Sequence, residues 1–259
     1  MNKKLLTFAI TVCNEIDEFT KLLTELVHAY DKNLCDILVV KDVANITYDN
    51  ELKISSLLNV DFCTDFYDGH LKITNSAFTG NFSEFKNKIE PACNSSYIFQ
   101  IDADETIPEY LIKTLPTILQ SNPDPDILYV PRINTVHNIE KSNILEWNWN
   151  ISSIEALPKK KINSGIPETK EYLNLLKEFG YWNENAEFYT VPVINFPDYQ
   201  GRIFKTGMGI KWENKVHEIL GKNGNYNIQL IPHDDLDYCI LHQKDITRQI
   251  SQNKKYNEL

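Results

Sequence analysis

The first 120 residues alternate between two patterns of apolar positions. Leu5–Val12 is apolar apart from two threonines, which indicates a buried strand. Apolar residues then recur every three or four positions, which predicts an amphipathic helix over Glu15–Tyr30. The same patterns predict strands at Ile37–Val40, Val60–Phe66 and Tyr97–Ile101, and helices at Asn50–Leu58, Pro108–Gln120 and Ser83–Cys93, the last with Ser83 as its N-cap. This order of elements implies a largely parallel sheet.

Beyond Gln120 the elements become shorter and less regular. Ile127–Arg132 predicts a strand, Asn134–Gly165 is polar and irregular, and Glu168–Phe179 has helical spacing. Further extended segments are expected at Tyr189–Phe196, Arg202–Lys205, Asn227–Ile231 and Tyr238–Leu241. The segment from Asp245 onward is polar and is expected to be a helix or a mobile tail. Because there is no internal repeat or linker, a single domain is the simplest interpretation.

The triplet Asp102-Ala103-Asp104 directly follows the predicted strand Tyr97–Ile101. Ligands of open α/β sheets bind beyond the carboxyl ends of the strands, and paired carboxylates there suit Mg²⁺ or Mn²⁺. The triplet Asp124-Pro125-Asp126 lies in a proline-containing turn, and Asp235-Leu236-Asp237 lies at a predicted strand start. The alternative for the first triplet is a solvated turn that caps the next helix.

Charge and composition exclude several classes of protein. The 259 residues include 26 Lys and Arg against 36 Asp and Glu, a formal net charge of −10. An acidic chain argues against binding to nucleic acid and against broad adhesion to anionic membranes. No Gly-x-Gly-x-x-Gly follows the first strand, so a dinucleotide-dependent dehydrogenase is disfavoured.

Cysteine usage and the N-terminus indicate a cytoplasmic protein. The five cysteines are odd in number and form no Cys-x-x-Cys pair, which favours reduced thiols. The N-terminal apolar run leads into Asn14-Glu15 and lacks the small-residue cleavage site of a signal peptide. No uninterrupted apolar segment approaches the roughly 18–20 residues that a transmembrane helix needs.

Four segments, taken in order, resemble glycosyltransferase family 2. Each matches a family motif at the end of a predicted strand, in a helix or in the acceptor-side part of the chain. The segments are Thr11-Val12-Cys13-Asn14-Glu15, Val39-Val40-Lys41-Asp42, Asn81-Phe82-Ser83-Glu84-Phe85-Lys86-Asn87 leading to Ile101-Asp102-Ala103-Asp104-Glu105, and Trp212-Glu213-Asn214-Lys215-Val216-His217-Glu218. The last is similar to the Trp-x-x-x-Val-His-Glu segment of one bacterial branch.

The chain departs from the family pattern in two of these segments. Lys41 replaces the first Asp of the usual Val-Asp-Asp-Gly-Ser stretch, and Val43-Ala44 replaces its Gly-Ser. Lys86 stands where the family has Arg. These replacements give weight to an alternative, a catalytically inactive module that binds nucleotide sugars.

The resemblance implies a GT-A (Rossmann-like) fold, a mixed, mostly parallel α/β sheet flanked by helices, in a single domain over 1–259. Residues 1–106 would form the nucleotide-sugar half, 107–244 the acceptor half and 245–259 a C-terminal tail. It further implies inverting transfer from a nucleotide-sugar donor, a UDP-sugar foremost, with Mn²⁺ or Mg²⁺. The acceptor would be a hydroxyl on a glycan, a lipid-linked glycan or a protein. The identity of the sugar and the oligomeric state stay open.

The resemblance also assigns candidate site residues. Donor-binding candidates are Thr11, Asn14, Glu15, Asp42, Lys86, Asp102, Ala103 and Asp104. Metal ligands would be Asp104 and Asp102, with His217 or His242 completing the shell. The general base would be Glu218 or Glu213, with Glu218 preferred because it belongs to the Val-His-Glu core. Trp212 would stack its ring on a sugar face of the acceptor. Arg202 would bind a phosphate or an acceptor carboxylate.

Each assignment has a plainer interpretation. Thr11 and Asn14 suit turn chemistry and helix capping, and Lys86 could be a solvated lysine. The two glutamates could be surface charges or partners of Lys211 and Lys215. A further alternative function, a sugar nucleotidyltransferase, is disfavoured because the turn after the first strand is acidic and has no glycine.

Overall fold

The computed structural model describes residues 3–59, 70–155, 190–221 and 223–258. In chain order its strands are β1 (Lys4–Val12), β2 (Cys35–Asp42), β3 (Leu71–Ser76), β4 (Ser95–Asp102), β5 (Glu105–Thr106), β6 (Ile127–His137), β7 (Ile151–Glu155), β8 (Thr190–Lys205), β9 (Trp212–Glu213), β10 (Ile219–Leu220), β11 (Ile228–Leu230) and β12 (Ile240–Asp245). The helices are α1 (Ile16–Ala29), α2 (Tyr48–Asn59), α3 (Phe82–Lys86), α4 (Ile89–Ala92), α5 (Glu109–Ser121), α6 (Lys141–Glu146) and α7 (Ile246–Glu258).

One large sheet organises these elements. Its strand order is β3-β2-β1-β4-β8-β6-β12-β5, with β11 beside β6 and β7 beside β8. Strands β3, β2, β1 and β4 are parallel to one another. The long strand β8 runs antiparallel to β4 and β6, and β12 runs parallel to β6. This mostly parallel sheet, flanked by helices, is consistent with a GT-A, Rossmann-like fold and confirms the predicted fold class.

The sheet is buried on both faces because its central strands are apolar on both faces. On β1, Phe8 and Ile10 belong to the larger core cluster, which includes residues of α1 and α5. Ala9 belongs to a second cluster with Phe85 of α3 and Trp212 of β9. Alternate residues of one strand therefore enter different core clusters, as the two-residue period of a strand requires.

The structure confirms most sequence predictions for the first half within a few residues. Strands β1, β2 and β4 and helices α1, α2 and α5 lie where the apolar spacing predicted them. The strand predicted at Val60–Phe66 and the helix predicted at Glu168–Phe179 lie outside the described residues. The third described strand is β3, which pairs with β2.

The predicted helix Ser83–Cys93 is wrong in its extent and in its cap. The segment forms two short helices, α3 and α4, and the N-cap of α3 is Asn81, whose side chain accepts a hydrogen bond from Glu84 N. Ser83 lies inside α3 and its hydroxyl donates instead to the carbonyl of Asn214. The hydroxyl therefore ties the helix to a distant loop and does not start it.

The irregular structure predicted for Asn134–Gly165 is also wrong over 134–155, and the rest of that range lies outside the described residues. Strand β6 continues to His137 because it pairs with β8 on one side and with β12 on the other. Helix α6 and strand β7 follow within the same segment. The extended segments predicted at Tyr189–Phe196 and Arg202–Lys205 join into the single strand β8.

Two predictions near the C-terminus have different outcomes. Asp235 does not start a strand, because its carboxylate accepts from Asp237 N at 3.1 Å and caps a 3₁₀ turn over Leu236–Tyr238. The polar segment from Asp245 onward forms helix α7.

No helix of the described residues is both long enough and apolar enough to cross a bilayer. The cysteines of the described part, Cys13, Cys35, Cys93 and Cys239, are free thiols.

The β9–β10 hairpin ends at a glycine that other residues could occupy only with strain. Gly221 has φ +67°, and its N–H donates to Lys211 O at 2.8 Å. A methyl group at this position would lie 2.6 Å from Ile127 Cδ1 and 2.9 Å from a Tyr226 ring carbon. Both the backbone conformation and the packing therefore require glycine at Gly221.

Gly221→Ala should destabilise the protein more than Gly207→Ala. Gly207 has φ +77° with nothing within 4 Å of the added methyl group. Both variants place an alanine in the left-handed backbone conformation, which costs about 1–2 kcal/mol. Only the Gly221 variant adds a steric clash. Urea unfolding of the two variants measures the difference, and equal free energies of unfolding would show that the clash at Ile127 is relieved without cost.

Candidate active site

The parallel strands β1, β2 and β4 end together, and their last residues form one edge of the sheet. Thr11 near the end of β1 pairs with Asp102 at the end of β4, and Asp42 ends β2. Ala103 follows β4 and its N–H donates to Thr11 O at 3.1 Å. The sheet register therefore brings four of the predicted donor-binding residues to one edge.

Asp102 is held by four side chains. Its carboxylate accepts hydrogen bonds from Thr11 Oγ1 at 3.0 Å and Gln100 Nε2 at 2.9 Å. It also forms ion pairs with Lys86 at 3.3 Å and Arg202 at 3.0 Å. Burial raises the pKa of Asp102, but these two cations and two hydrogen bonds outweigh burial and hold the pKa well below its usual value. Asp102 is therefore an ionised carboxylate with a fixed orientation.

Glu105 is a buried carboxylate that links strand β4 to strands β6 and β8. Its side chain is fully buried and lies 2.5 Å from Arg202 and 3.2 Å from Arg132, while it also accepts Asp102 N at 3.1 Å. Arg132 in turn binds Asp198 at 2.7 Å. A charge buried to this degree needs such partners. The ion pairs connect Asp102 on β4 to β6 and β8.

Lys86 brings Glu218 to the same cluster. Its ammonium lies 2.5 Å from Glu218 Oε1 and 3.3 Å from Asp102, and 4.9 Å from the centre of the Trp212 ring. Lys86 is buried, so the interpretation of this residue as a solvated lysine is wrong. Of the two candidate bases, Glu218 is the one in contact with the aspartate cluster through Lys86.

The hairpin that carries Glu218 is fastened to helix α3. Asn87 donates to Trp212 O and accepts from Trp212 N, both at 2.9 Å. Phe82 N donates to Lys215 O at 3.0 Å. Asn214 and His217 both have positive φ, which folds the loop between β9 and β10 back on itself. These contacts fix Glu218 over Lys86.

Asp104 lies beside an imidazole and an arginine from the C-terminal part of the chain. Its Oδ2 is 3.4 Å from His242 Nε2 and 3.2 Å from Arg248. Burial raises the pKa of Asp104, but His242, Lys244 and Arg248 together lower it well below the usual range. Burial also lowers the pKa of His242, and the attraction of Asp104 only partly restores it. The pair at neutral pH is thus a carboxylate facing a neutral imidazole.

Asn14, Glu15 and Asp42 hold the loops around the site. Asn14 Oδ1 accepts from Thr47 N, and Asp42 Oδ1 accepts from Ala44 N and Phe78 N, all at 3.0 Å. Glu15 accepts from Asn14 N and pairs with Arg248 at 3.3 Å. The polar atoms of these side chains form hydrogen bonds and ion pairs around this edge of the sheet. Contact of these side chains with a nucleotide-sugar donor therefore stays a prediction.

The remaining predicted residues have other surroundings. Glu213 accepts hydrogen bonds from Asn223 N and from the Asn223 side chain, in the turn after β10. His217 is exposed, and its carbonyl accepts from Asn214 Nδ2 at 3.2 Å. Trp212 is 5% exposed and Arg202 is 3% exposed. Both are enclosed by the protein and support Lys86 and Asp102, so their acceptor roles stay predictions.

Sequence reasoning missed the residues that connect the site. Glu105 directly follows the Asp102-Ala103-Asp104 triplet, and its position was the available signal. Nothing in the spacing pointed to Arg132, Asn134 or Asp198, because their contacts depend on the pairing of β6 with β8. Arg248 lies in the segment from Asp245 onward, for which the sequence predicts either a helix or a mobile tail and no contact with the site.

No family model and no curated protein matches the sequence. Similar solved structures include S. aureus TarS 1–349 in complex with UDP, at 13% identity and TM-score 0.48, covering 90% of this chain and 62% of that chain. TarS 1–349 in complex with UDP-GlcNAc has 14% identity and TM-score 0.40, covering 90% and 60%. The mannosyltransferase PcManGT from Pyrobaculum calidifontis, in complex with GDP-Man and Mn²⁺, has 13% identity and TM-score 0.40, covering 51% and 36%.

The chain thus spans less than two thirds of the length of each of these structures. Shared strand and helix arrangements at such identities do not establish a shared function.

Arg202→Met should destabilise the protein by about 3–5 kcal/mol, because it leaves Glu105 and Asp102 as buried carboxylates with fewer cationic partners. Lys113→Met is the control, since Lys113 forms a solvent-exposed pair with Glu109 whose loss should change the free energy of unfolding far less. Chemical denaturation measures both. A cost for Arg202→Met no larger than for Lys113→Met would contradict the assigned role of the buried network.

Proposed function

We propose that this chain is a metal-dependent, inverting glycosyltransferase acting from a nucleotide-sugar donor on a hydroxyl acceptor. The observation that carries the proposal is the convergence of Asp102, Asp104, His242 and Glu218 at the carboxyl edge of the sheet. The family 2 resemblance of the segments that supply Asp102, Asp104 and Glu218 supports the same conclusion. The donor would be a UDP-sugar, and the acceptor a glycan, lipid-linked glycan or protein.

The Asp104 and His242 pair fits a divalent cation by its chemistry. An ionised carboxylate oxygen and a neutral imidazole nitrogen, 3.4 Å apart, are a mixed donor set that suits Mn²⁺. Among the described residues no group of three or more His, Cys, Asp or Glu could hold a metal. The other positions would therefore be taken by phosphate oxygens and water. When bound, the cation would neutralise charge on the diphosphate leaving group.

Asp102 has a different role in this proposal. Its carboxylate already accepts from Thr11, Gln100, Lys86 and Arg202, which uses the roughly four acceptor positions of a carboxylate. We therefore assign direct metal contact to Asp104. Asp102 would hold the donor ribose or reach the cation through water.

Glu218 is the proposed general base. In the transfer step the acceptor hydroxyl oxygen attacks the anomeric carbon, its proton passes to Glu218, and the bond to the diphosphate oxygen breaks. Lys86 fixes the direction of the Glu218 carboxylate, on the side of the hairpin that faces Asp102. Glu213 is engaged with Asn223 and is the weaker candidate.

The free thiols of Cys35, Cys93 and Cys239 agree with a reducing compartment, and we propose a cytoplasmic location. Burial raises the pKa of each of these thiols to about 12, so they are unreactive at neutral pH. They take no part in the proposed chemistry.

Asp104→Asn should strongly weaken Mn²⁺-dependent binding of a nucleotide sugar. A screen of UDP, GDP, CMP and dTDP and their sugars by thermal shift, with and without Mn²⁺, identifies the donor in the wild-type chain. Calorimetry should then find affinity reduced by about 100-fold or more in the variant. Asp124→Asn, the same change in another Asp-x-Asp triplet, is the control and should bind as the wild type does. Equal donor binding by both variants would refute the assignment of Asp104.

Glu218→Gln should keep donor affinity and lose turnover. Removing a general base lowers kcat by about 10²- to 10⁴-fold. Release of nucleoside diphosphate from the donor, with or without an acceptor, gives the rate, and Glu213→Gln is the matched control with near wild-type turnover. Binding without any release by the wild-type chain would favour the inactive binding module. Release of pyrophosphate would favour a nucleotidyltransferase.

Arg248→Ala should raise the affinity for Mn²⁺ alone by about two- to fivefold. Arg248 is half-buried and pairs with Asp104 and with two glutamates of the first helix region, so it competes with a cation for the Asp104 oxygen. Arg248→Lys keeps the charge and should change the affinity less. The Mn²⁺ affinity is measured by electron paramagnetic resonance of the free ion, and a weaker affinity in Arg248→Ala would contradict competition.

A further inference from the structure

The His242 ring lies between two groups of the sheet. Its Nδ1 is 2.9 Å from Asn134 Oδ1, and its Nε2 is 3.4 Å from Asp104 Oδ2. The first distance is that of a good hydrogen bond, and the second is longer than the usual 2.7–3.2 Å. The two nitrogens of this imidazole therefore have different partners and different bonding.

The orientation of the Asn134 amide is determined by its other contacts. Asn134 Nδ2 donates to Asp198 Oδ2 at 2.8 Å and to Ile194 O at 3.4 Å. Both of those atoms are acceptors only, so the amide nitrogen has to face them and the amide oxygen has to face His242. Asp198 is itself fixed by two hydrogen bonds from Arg132, at 2.7 and 2.9 Å.

The backbone pairing sets these neighbours. Asn134 on β6 pairs with His242 on β12 and with Ile194 on β8, and Arg132 pairs with Asp198. Because adjacent strands hold directly opposed residues close together, the row from Arg132 to His242 is built into the sheet register. His242 is itself buried, with 8% of its surface exposed.

An oxygen acceptor at Nδ1 means that Nδ1 carries the hydrogen of the neutral ring. Nε2 then has a bare lone pair, and it faces the Asp104 oxygen, another electron-pair donor. Two electron-pair donors that face each other repel unless a cation lies near both, and in this structure Arg248 contacts the same Asp104 oxygen at 3.2 Å. We propose that Asn134, anchored by Asp198 and Arg132, is a positioning residue that selects the His242 tautomer able to bind a divalent cation with Asp104. This inference rests on the proposed metal-dependent function.

The test replaces Asn134 and reads both the tautomer and the metal affinity. Long-range ¹H–¹⁵N spectra of histidine-labelled protein report which nitrogen is protonated, and comparison with His242→Gln identifies the His242 signals. Mn²⁺ affinity is measured with the metal alone by electron paramagnetic resonance. Asn134→Leu removes the acceptor at similar size. Thr135→Val is the matched control, a buried side chain on the same strand whose hydroxyl has no hydrogen-bond partner in the described residues.

We expect the His242 ring to carry its proton on Nδ1 in both the wild-type protein and the Thr135→Val variant, and we expect the two proteins to bind Mn²⁺ with equal affinity. Asn134→Leu should move the proton to Nε2, where it can be donated to Asp104, and should weaken Mn²⁺ binding by about 10- to 100-fold. Asn134→Asp keeps an oxygen acceptor and should retain the Nδ1 proton. Asn134→Ser replaces the Leu variant if that variant does not fold, as judged by circular dichroism.

Two results would overturn the inference in distinguishable ways. An unchanged tautomer and unchanged Mn²⁺ affinity in folded Asn134→Leu would refute the positioning role and leave the proposed function intact. Absence of Mn²⁺ binding by the wild-type chain would refute the metal-dependent function itself, and this inference with it.

Discussion

The buried carboxylate of Glu105 is the constraint on which the site depends. A charge with 1% exposure is tolerable only with cations beside it, and Arg202 and Arg132 supply them from neighbouring strands. Those arginines in turn bind Asp102 and Asp198. Because the carboxylates and guanidinium groups of this network compensate one another, the central strands must keep one register, and Asp102 is held at a fixed place along the edge.

Much of the fold followed from the sequence, because local spacing carries the information for buried strands and amphipathic helices. The continuous apolar run of β1 and the heptad-like spacing of α1 were sufficient. The segment after Gln120 was harder to predict, since Asn134, just beyond the predicted strand Ile127–Arg132, looks like a loop residue in sequence. It is a strand residue whose side-chain amide is bonded to groups on β8 and β12. A one-dimensional pattern cannot distinguish a polar network inside a sheet from a solvated loop.

The site was predictable only in its local parts. Asp102, Asp104 and Lys86 could be found from motif and spacing, and the contact of Lys86 with Glu218 joins segments more than 130 residues apart. The functions expected of Asn14 and Asp42 were assigned from strand ends, where their polar atoms turn out to hold neighbouring loops. Residue type and position at a strand end predict proximity to the site, and they do not decide whether an atom is left available for a ligand.

Arg248 joins the last helix to Asp104 and to Glu15, 233 residues earlier in the chain. Such a contact has high sequence separation, so bringing its two segments together costs loop-closure entropy. During synthesis, the core of β1, β2 and β4 could assemble on the ribosome well before Arg248 emerges from the exit tunnel. The Asp104 carboxylate therefore acquires Arg248 as its partner only after helix α7 has been synthesised, later than Asp102 can acquire Lys86.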